Sequence, residues 1–314
     1  MRALRGAVLA LTVAAMLGCA YTPTALPSAS TSSSSTTTTA PAVTCANRLQ
    51  SYAPPADGVS GISGAGITAI RQRGRLSAGV SADTYLFGAR NPLTGRIEGF
   101  DIDIVQRIAD GILGKGAKVE LRVITSAQRL EVLKKHEVDV VVRTMTITCA
   151  RWAEIAFSGE YFRAGQKLLV RRGLDITGVA DLAGHSVCAP RGTSSIDQIR
   201  KVAPEATIVP SDTHTGCLVL LQQGAVDVIT GDDTVLAGLA AQDPYAQVVE
   251  MAAFTEEPYG VGVAADRVDV VRAVNAVLDE MKADGSWKAS YTRWLAAPLG
   301  AAPTPPTAVY GRSS

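Results

Sequence analysis

One short pattern occurs twice in this 314-residue chain, and it restricts the fold more than any other feature. Glu131-Val132-Leu133-Lys134-Lys135-His136-Glu137-Val138-Asp139-Val140 runs from a helix end through a turn into Val-Asp and an apolar strand. Leu220-Leu221-Gln222-Gln223-Gly224-Ala225-Val226-Asp227-Val228-Ile229 repeats that order. Two similar half-domains explain the recurrence more economically than chance reuse of a common unit. Periodicity extends the alternation along the chain. Strands are expected at 75–80, 118–124, 138–142, 167–170, 186–189, 207–209, 226–230 and 260–263. Helices are expected near 102–113, 126–135, 193–202, 214–223, 232–241, 268–283 and 286–295. Repeated strand–helix–strand units imply an α/β fold with parallel sheets and helices on both faces.

The ends carry a different kind of information. Arg2 and Arg5 precede an apolar run from Ala7 to Leu17, too short to span a bilayer, which needs about 20 residues. The pattern is that of a signal peptide over 1–18. Leu17-Gly18-Cys19 resembles a bacterial lipobox, with Met16 where an aliphatic residue is usual. Cys19 is then the lipid-modified first residue, and its acyl chains hold the protein at the membrane. Residues 19–44 are almost entirely Ser, Thr, Pro and Ala. Such a segment has too little to bury to offset its ordering entropy, so it is expected to be a disordered tether. Its reach is roughly 25–30 Å. The Pro/Ala-rich stretch 298–314 is expected to be a poorly ordered tail.

Charge and composition exclude several functions. Lys plus Arg number 30 against 29 Asp plus Glu, and the basic residues are dispersed. No basic–aromatic stripe suggests nucleic acid, and no glycine-rich phosphate motif follows a strand. Three scattered histidines and the absence of short Cys spacings argue against zinc. No cofactor or metal is expected. With Cys19 lipidated, four cysteines remain in an exported protein, which argues for disulfides. Three pairings are open. Cys188 and Cys217 fall in the same half, so they are paired here, leaving Cys45 with Cys149.

Two segments carry a family resemblance. Gly99-Phe100-Asp101-Ile102-Asp103-Ile104 joins a turn to a helix whose first turn is acidic, which complements the helix dipole. Thr144-Met145-Thr146-Ile147-Thr148-Cys149-Ala150-Arg151 follows a buried strand. Together they resemble the extracellular amino-acid-binding proteins of ABC importers, glutamate/glutamine/aspartate type, over about residues 67–296. The resemblance implies a two-lobed, periplasmic-binding-protein-like type II fold. Lobe 1 comprises 45–164 and 255–297, and lobe 2 comprises 165–254. Hinge strands near 163–170 and 252–261 join them, with ligand in the cleft between.

Candidate ligand-binding residues follow from what an amino acid presents. Its carboxylate needs a bidentate cation, and Arg151 at a strand's end supplies one. Thr144 and Thr146 are two apart, so their hydroxyls share a side in an extended segment. Arg191-Gly192-Thr193-Ser194-Ser195 opens a helix whose N-terminus attracts anions, with Thr193 the candidate donor. From the resemblance, Asp232 pairs with the ligand's ammonium, although it and Asp233 are open to exchange between binding and capping. Ser126 and Arg129 resemble the Ser-x-x-Arg arrangement of glutamate/aspartate binders, where the arginine meets the side-chain carboxylate. Arg143 is a second cation in reach, and His214 stands where some acidic-amino-acid binders place an extra donor. Tyr85-Leu86-Phe87 is expected to floor the cleft. The function implied is capture of glutamate or aspartate, with asparagine or glutamine next, by a monomeric non-enzymatic lipoprotein that serves an ABC permease. The rival outputs are a membrane sensor as partner and a cyclohexadienyl-dehydratase-like enzyme.

Overall fold

The computed structural model describes Cys45 and residues 47–313. The signal peptide, Cys19 and the Ser/Thr-rich linker lie outside the described residues. Among the described residues, no helix is long and apolar enough to cross a membrane, and no cluster of metal-ligating side chains occurs.

Two five-stranded sheets organise the chain. The first has the order Val119–Val123, Leu76–Val80, Val140–Val141, Gly262–Ala264, Ile155–Phe157. The second has the order Thr207–Ser211, Ser186–Pro190, Val228–Asp232, Gln166–Arg171, Ala246–Val248. In each, three strands run parallel, and the fourth runs antiparallel to both its neighbours. The all-parallel sheets expected from the alternation are therefore mixed. The strands that reverse, Gly262–Ala264 and Gln166–Arg171, each enter their sheet directly from the crossover between lobes. No crossover helix precedes them to set a parallel direction.

The duplicated pattern is visible in atomic detail. Asp139 Oδ2 accepts the backbone N–H of Ser77 at 2.8 Å, and Asp227 Oδ2 accepts that of Ser186 at 2.9 Å. In each lobe the Val-Asp pair thus pins the start of the adjacent central strand. Alternate strand residues feed opposite cores, as the pleat requires. Leu168, Val170, Val187 and Val228 enter one cluster of the second lobe, and Leu169, Cys188 and Ile229 the other. The helix Phe100–Leu113 buries Phe100, Ile104, Val105, Ile108 and Ile112 in the first lobe's largest core. Gly99 must precede it, because a Cβ there would lie 2.4 Å from the Phe87 carbonyl oxygen.

Between the sheets, Phe162–Ala164 and Glu257–Tyr259 pair antiparallel, with Tyr259 opposite Phe162. These two strands are the only paired strands, among the described residues, that lie between the two sheets in both chain passes. The helices Val268–Ala283 and Ser286–Trp294 then return to the first lobe, where Trp287 Nε1 donates to the Tyr161 carbonyl at 2.7 Å.

The C-terminal stretch departs from the expected loose tail. Val309–Tyr310 pairs parallel with Gln50–Ser51. Tyr310 Oη donates to Asp279 at 2.7 Å, and the Arg312 guanidinium lies 3.7 Å from the centre of the Trp152 ring. Proline-rich composition therefore yields an extended strap here, because proline suits edge strands and costs little entropy when held extended. Gln50–Ser51 is fixed beside it. Cys45 is bonded to Cys149, and Cys188 to Cys217.

Candidate functional site

The two lobes meet around a small, partly open pocket with a cavity volume of about 10 Å³. Ser126, Arg129, Thr144 and Thr146 line it from the first lobe. Thr193, Ser194, Ser195, His214 and Asp232 line it from the second. Each arrives from the end of a strand or the start of a helix, where α/β sheets open their ligand crevices.

Asp232 ends the strand Val228–Asp232 and directly precedes the helix Asp233–Gln242. Its side chain does not cap that helix. Asp233 does the local work, accepting the Gly165 and Thr234 backbone N–H groups. Asp232 Oδ2 instead accepts the Tyr259 hydroxyl, and its Oδ1 is buried without a partner. Burial, with the Glu257 charge second, pushes its carboxyl up to about 8, and the Tyr259 hydrogen bond offsets only part of this. A buried carboxylate oxygen without a donor is costly and is retained where a cation comes to it.

Arg129 is the cation of the cavity. It is 3% exposed, and every bond it makes goes to a backbone carbonyl. Nε donates to Ser126 O at 2.9 Å, Nη1 to Arg143 O and Thr144 O, and Nη2 to Gly192 O at 2.9 Å. Burial and the charges of Arg151 and Arg143 depress its pKa well below the usual arginine value. Arg143 lies behind it, donating to Ile124 O at 2.9 Å and to the Ser126 hydroxyl. Among the described residues neither guanidinium has a carboxylate partner within ion-pair distance. Two buried cations without an anion leave positive charge uncompensated.

Thr144 holds φ at +40°, an unusual conformation for a β-branched residue. Asp101 secures it. That carboxylate accepts the Thr144 N–H at 2.9 Å and the Tyr161 hydroxyl at 2.8 Å. Burial pushes its carboxyl up to about 7. The acidic first turn legible in the sequence thus serves the site's backbone, beyond any interaction with the helix dipole.

On the second lobe, Thr193 caps the helix Ser194–Val202 by accepting the Ile196 N–H. Gly192, just before it, presents its carbonyl to both Arg129 and Arg151. At φ +74° a Cβ on Gly192 would lie 2.7 Å from Ala127 Cα, so only glycine permits this approach between lobes. Thr215 Oγ1 adds a further crossing bond, donating to Asp83 O at 3.0 Å. His214 is half-buried, with its Nε2 enclosed and unpartnered, and desolvation depresses its pKa to about 3, so the ring is neutral.

Arg151 stands at the mouth. It lines an outer groove that shares Thr146 and Ser194 with the cavity. Nη1 donates to Thr146 O at 2.6 Å and Nη2 to Gly192 O at 3.1 Å. Arg191 is not brought in: it is exposed and pairs with Asp212 at 2.9 Å. The positive φ of Gly192 turns the chain between Arg191 and the site, and a helix-start motif does not reveal that turn. Tyr85-Leu86-Phe87 does not form the expected floor either. Phe87 belongs to an aromatic core with Phe100, Phe162 and Tyr259, and Tyr85 is 45% exposed.

Sequence reasoning missed the groups that support the site. Glu257 accepts the Thr146 hydroxyl at 2.6 Å and the Ser194 hydroxyl at 2.8 Å. Gln166 Nε2 donates to Ser195 O and Thr230 Oγ1. Acidic and amide residues within apolar strands were the available signal, since such groups are rarely buried without a task.

Residues 76–297 match the model for bacterial extracellular solute-binding proteins, family 3. The glutamine-binding protein GlnH of a Bacillus subtilis ABC transporter is 39% identical over 73% of this chain and 84% of its own length. The glutamate-binding protein GluB of Corynebacterium efficiens is 34% identical over 74% of this chain and 82% of its own. A crystal structure of a mutant ArgBP from T. maritima superposes with TM-score 0.69 at 29% identity, covering 74% of this chain and all of that one.

Proposed function

The chain belongs to the bacterial extracellular solute-binding proteins, family 3, and we propose that it captures an amino acid with an acidic or amide side chain for an ABC permease. Glutamate and aspartate are the preferred ligands of this reading, then glutamine and asparagine. One observation carries it. One pocket between the lobes holds a carboxylate oxygen with no partner, on Asp232, and a buried guanidinium bonded only to carbonyls, on Arg129. A zwitterion with an acidic side chain supplies both missing counter-charges.

In this reading the ammonium goes to Asp232 and Thr146. The α-carboxylate goes to Arg151 and the backbone N–H groups that open the helix Ser194–Val202. The ligand's side chain meets Arg129, Ser126 and neutral His214, with Arg143 adding positive potential from behind. Residues from both lobes are required at once, so ligand stabilises the shut form over the open one. Family membership places such proteins outside the cytoplasm. We propose further that acyl chains on Cys19 hold this one at the outer face of the cytoplasmic membrane, as a monomer.

Calorimetry with the twenty amino acids against the mature chain tests the reading. Glutamate or aspartate is expected to bind tightest. R129M is expected to weaken the acidic ligands by about 10- to 100-fold while sparing amides more. Absence of binding by every amino acid, or preference for a basic one, refutes it. Unchanged glutamate uptake in a deletion strain assigns the same binding chemistry to a membrane sensor. One observation favours an enzyme as second reading: protonated Asp232 is a proton donor inside the cavity. Aromatic product from prephenate or arogenate would establish it.

A further inference from the structure

The strand Glu257–Tyr259 carries a buried carboxylate that the binding scheme above leaves unused. Glu257 is 3% exposed and receives three hydroxyl protons. Thr255 Oγ1 donates to its Oε1 at 2.7 Å. Thr146 Oγ1 and Ser194 Oγ both donate to its Oε2, at 2.6 and 2.8 Å. Thr146 comes from the first lobe and Ser194 from the second, so one carboxylate oxygen holds a hydroxyl from each wall of the cavity.

The direction of these bonds fixes what the walls present. A hydroxyl has a single proton and two lone pairs, and a carboxylate can only accept. With its proton committed to Glu257, Thr146 has only lone pairs left to offer. With the Ser194 proton also committed to Glu257, the 3.2 Å contact between Thr146 Oγ1 and Ser194 Oγ is one in which neither oxygen donates. An ammonium entering the cavity therefore meets acceptors: the Thr146 oxygen and the unpartnered Oδ1 of Asp232. A free Thr146 hydroxyl could instead turn its proton inward and oppose the same ammonium.

We infer that Glu257 is a positioning residue for ligand capture, which takes the hydroxyl protons of Thr146 and Ser194 so that the Thr146 oxygen faces the ligand's ammonium as an acceptor. This inference rests on the zwitterion reading of the cavity. It explains why a charged group is kept dry on the strand that passes between the lobes, where a glutamine of the same size would fill the space. Glutamine at this position has an NH2 that donates to Thr146 or Ser194, which releases a hydroxyl proton toward the cavity.

A double-mutant cycle tests it, with E257Q and T146V made singly and together in the mature chain. L-glutamate and L-glutamine are the calorimetric probes. Each single variant is expected to bind about 10- to 100-fold more weakly, the range for a hydrogen bond to a charged group. The double variant is expected to be no weaker than the weaker single one, because Glu257 acts through Thr146. T146S, which keeps the hydroxyl, is expected to restore sensitivity to E257Q. The inference is overturned if the two losses multiply, or if E257Q binds like the parent protein. A lowered melting temperature with unchanged affinity also overturns it, since that outcome assigns Glu257 to the scaffold alone. A parent chain that binds neither probe refutes the zwitterion reading itself, and is distinguished from the other outcomes before any variant is measured.

Discussion

Affinity for the ligand is expected to rise steeply with pH between 6 and 8, and Asp232 is the cause. In the ligand-free protein, burial pushes its carboxyl from 3.8 up to about 8. Below that pH the group holds a proton, yet an ammonium needs it ionised. Binding must therefore expel the proton, and the complex has a lower pKa than the free protein. At pH 6 only about 1% of molecules are ionised at this position, two units below the pKa. The cost at pH 6 is about 2.7 kcal/mol at 1.36 kcal/mol per unit, so Kd is expected to fall about tenfold from pH 6 to 7 and about 50-fold in all by pH 8. His214, with its pKa near 3, stays neutral throughout. Asp101 titrates near 7, but its oxygens face Tyr161 and the Thr144 N–H and do not line the cavity. D232N separates the two, because it should bind weakly and with no pH slope. Calorimetry in buffers of different ionisation enthalpy counts the protons directly, and about one should leave per ligand at pH 6.5. A flat Kd with no proton release, or a D232N variant that keeps the slope, refutes the reasoning.

Three further outcomes follow from the structure. R191A should leave affinity within about twofold of the parent, because Arg191 pairs with Asp212 on the surface; a tenfold loss in calorimetry would return it to the site. Truncation after residue 299 removes the Tyr310–Asp279 bond, the pairing with Gln50–Ser51 and the stacking of Arg312 on Trp152. At roughly 1 kcal/mol for each such contact the melting temperature should drop by about 5–10 °C, and no drop would mean the strap contributes nothing. Replacing both Cys188 and Cys217 by alanine opens a loop with sequence separation 29. The expected loss is about 3–4 kcal/mol in denaturant melts, and a loss under about 1 kcal/mol would contradict the entropic account.

Local pattern made the second-lobe helices, the central strands and the duplicated Val-Asp pair legible. These depend on periodicity and on one short side-chain-to-backbone bond each. Seven of the ten residues proposed for ligand contact line one cavity: Ser126, Arg129, Thr144, Thr146, Thr193, His214 and Asp232. Their ligand roles remain proposals. The misplacement of Arg191 and of Tyr85-Leu86-Phe87 has a common origin. Whether a side chain beside a motif points inward depends on backbone turns such as Gly192 and on which aromatic rings the core recruits. Both are tertiary outcomes. Glu257 and Gln166 escaped notice, and Asp101 was read only as part of an acidic first turn, because their partners lie far away in sequence, as with Thr146 and Glu257, 111 residues apart. The tail illustrates the opposite error. Composition marks what a segment is unable to bury, but an edge strand needs only backbone partners, and Gln50–Ser51 provides them.

A crystal structure of the mature chain grown with L-glutamate tests the central claim most directly. The account predicts the ligand nitrogen about 3 Å from Asp232 Oδ1, its α-carboxylate on the Arg151 guanidinium and its side-chain carboxylate on Arg129. A glutamate that leaves Asp232 Oδ1 without a partner, or that binds away from the cavity between the lobes, contradicts it.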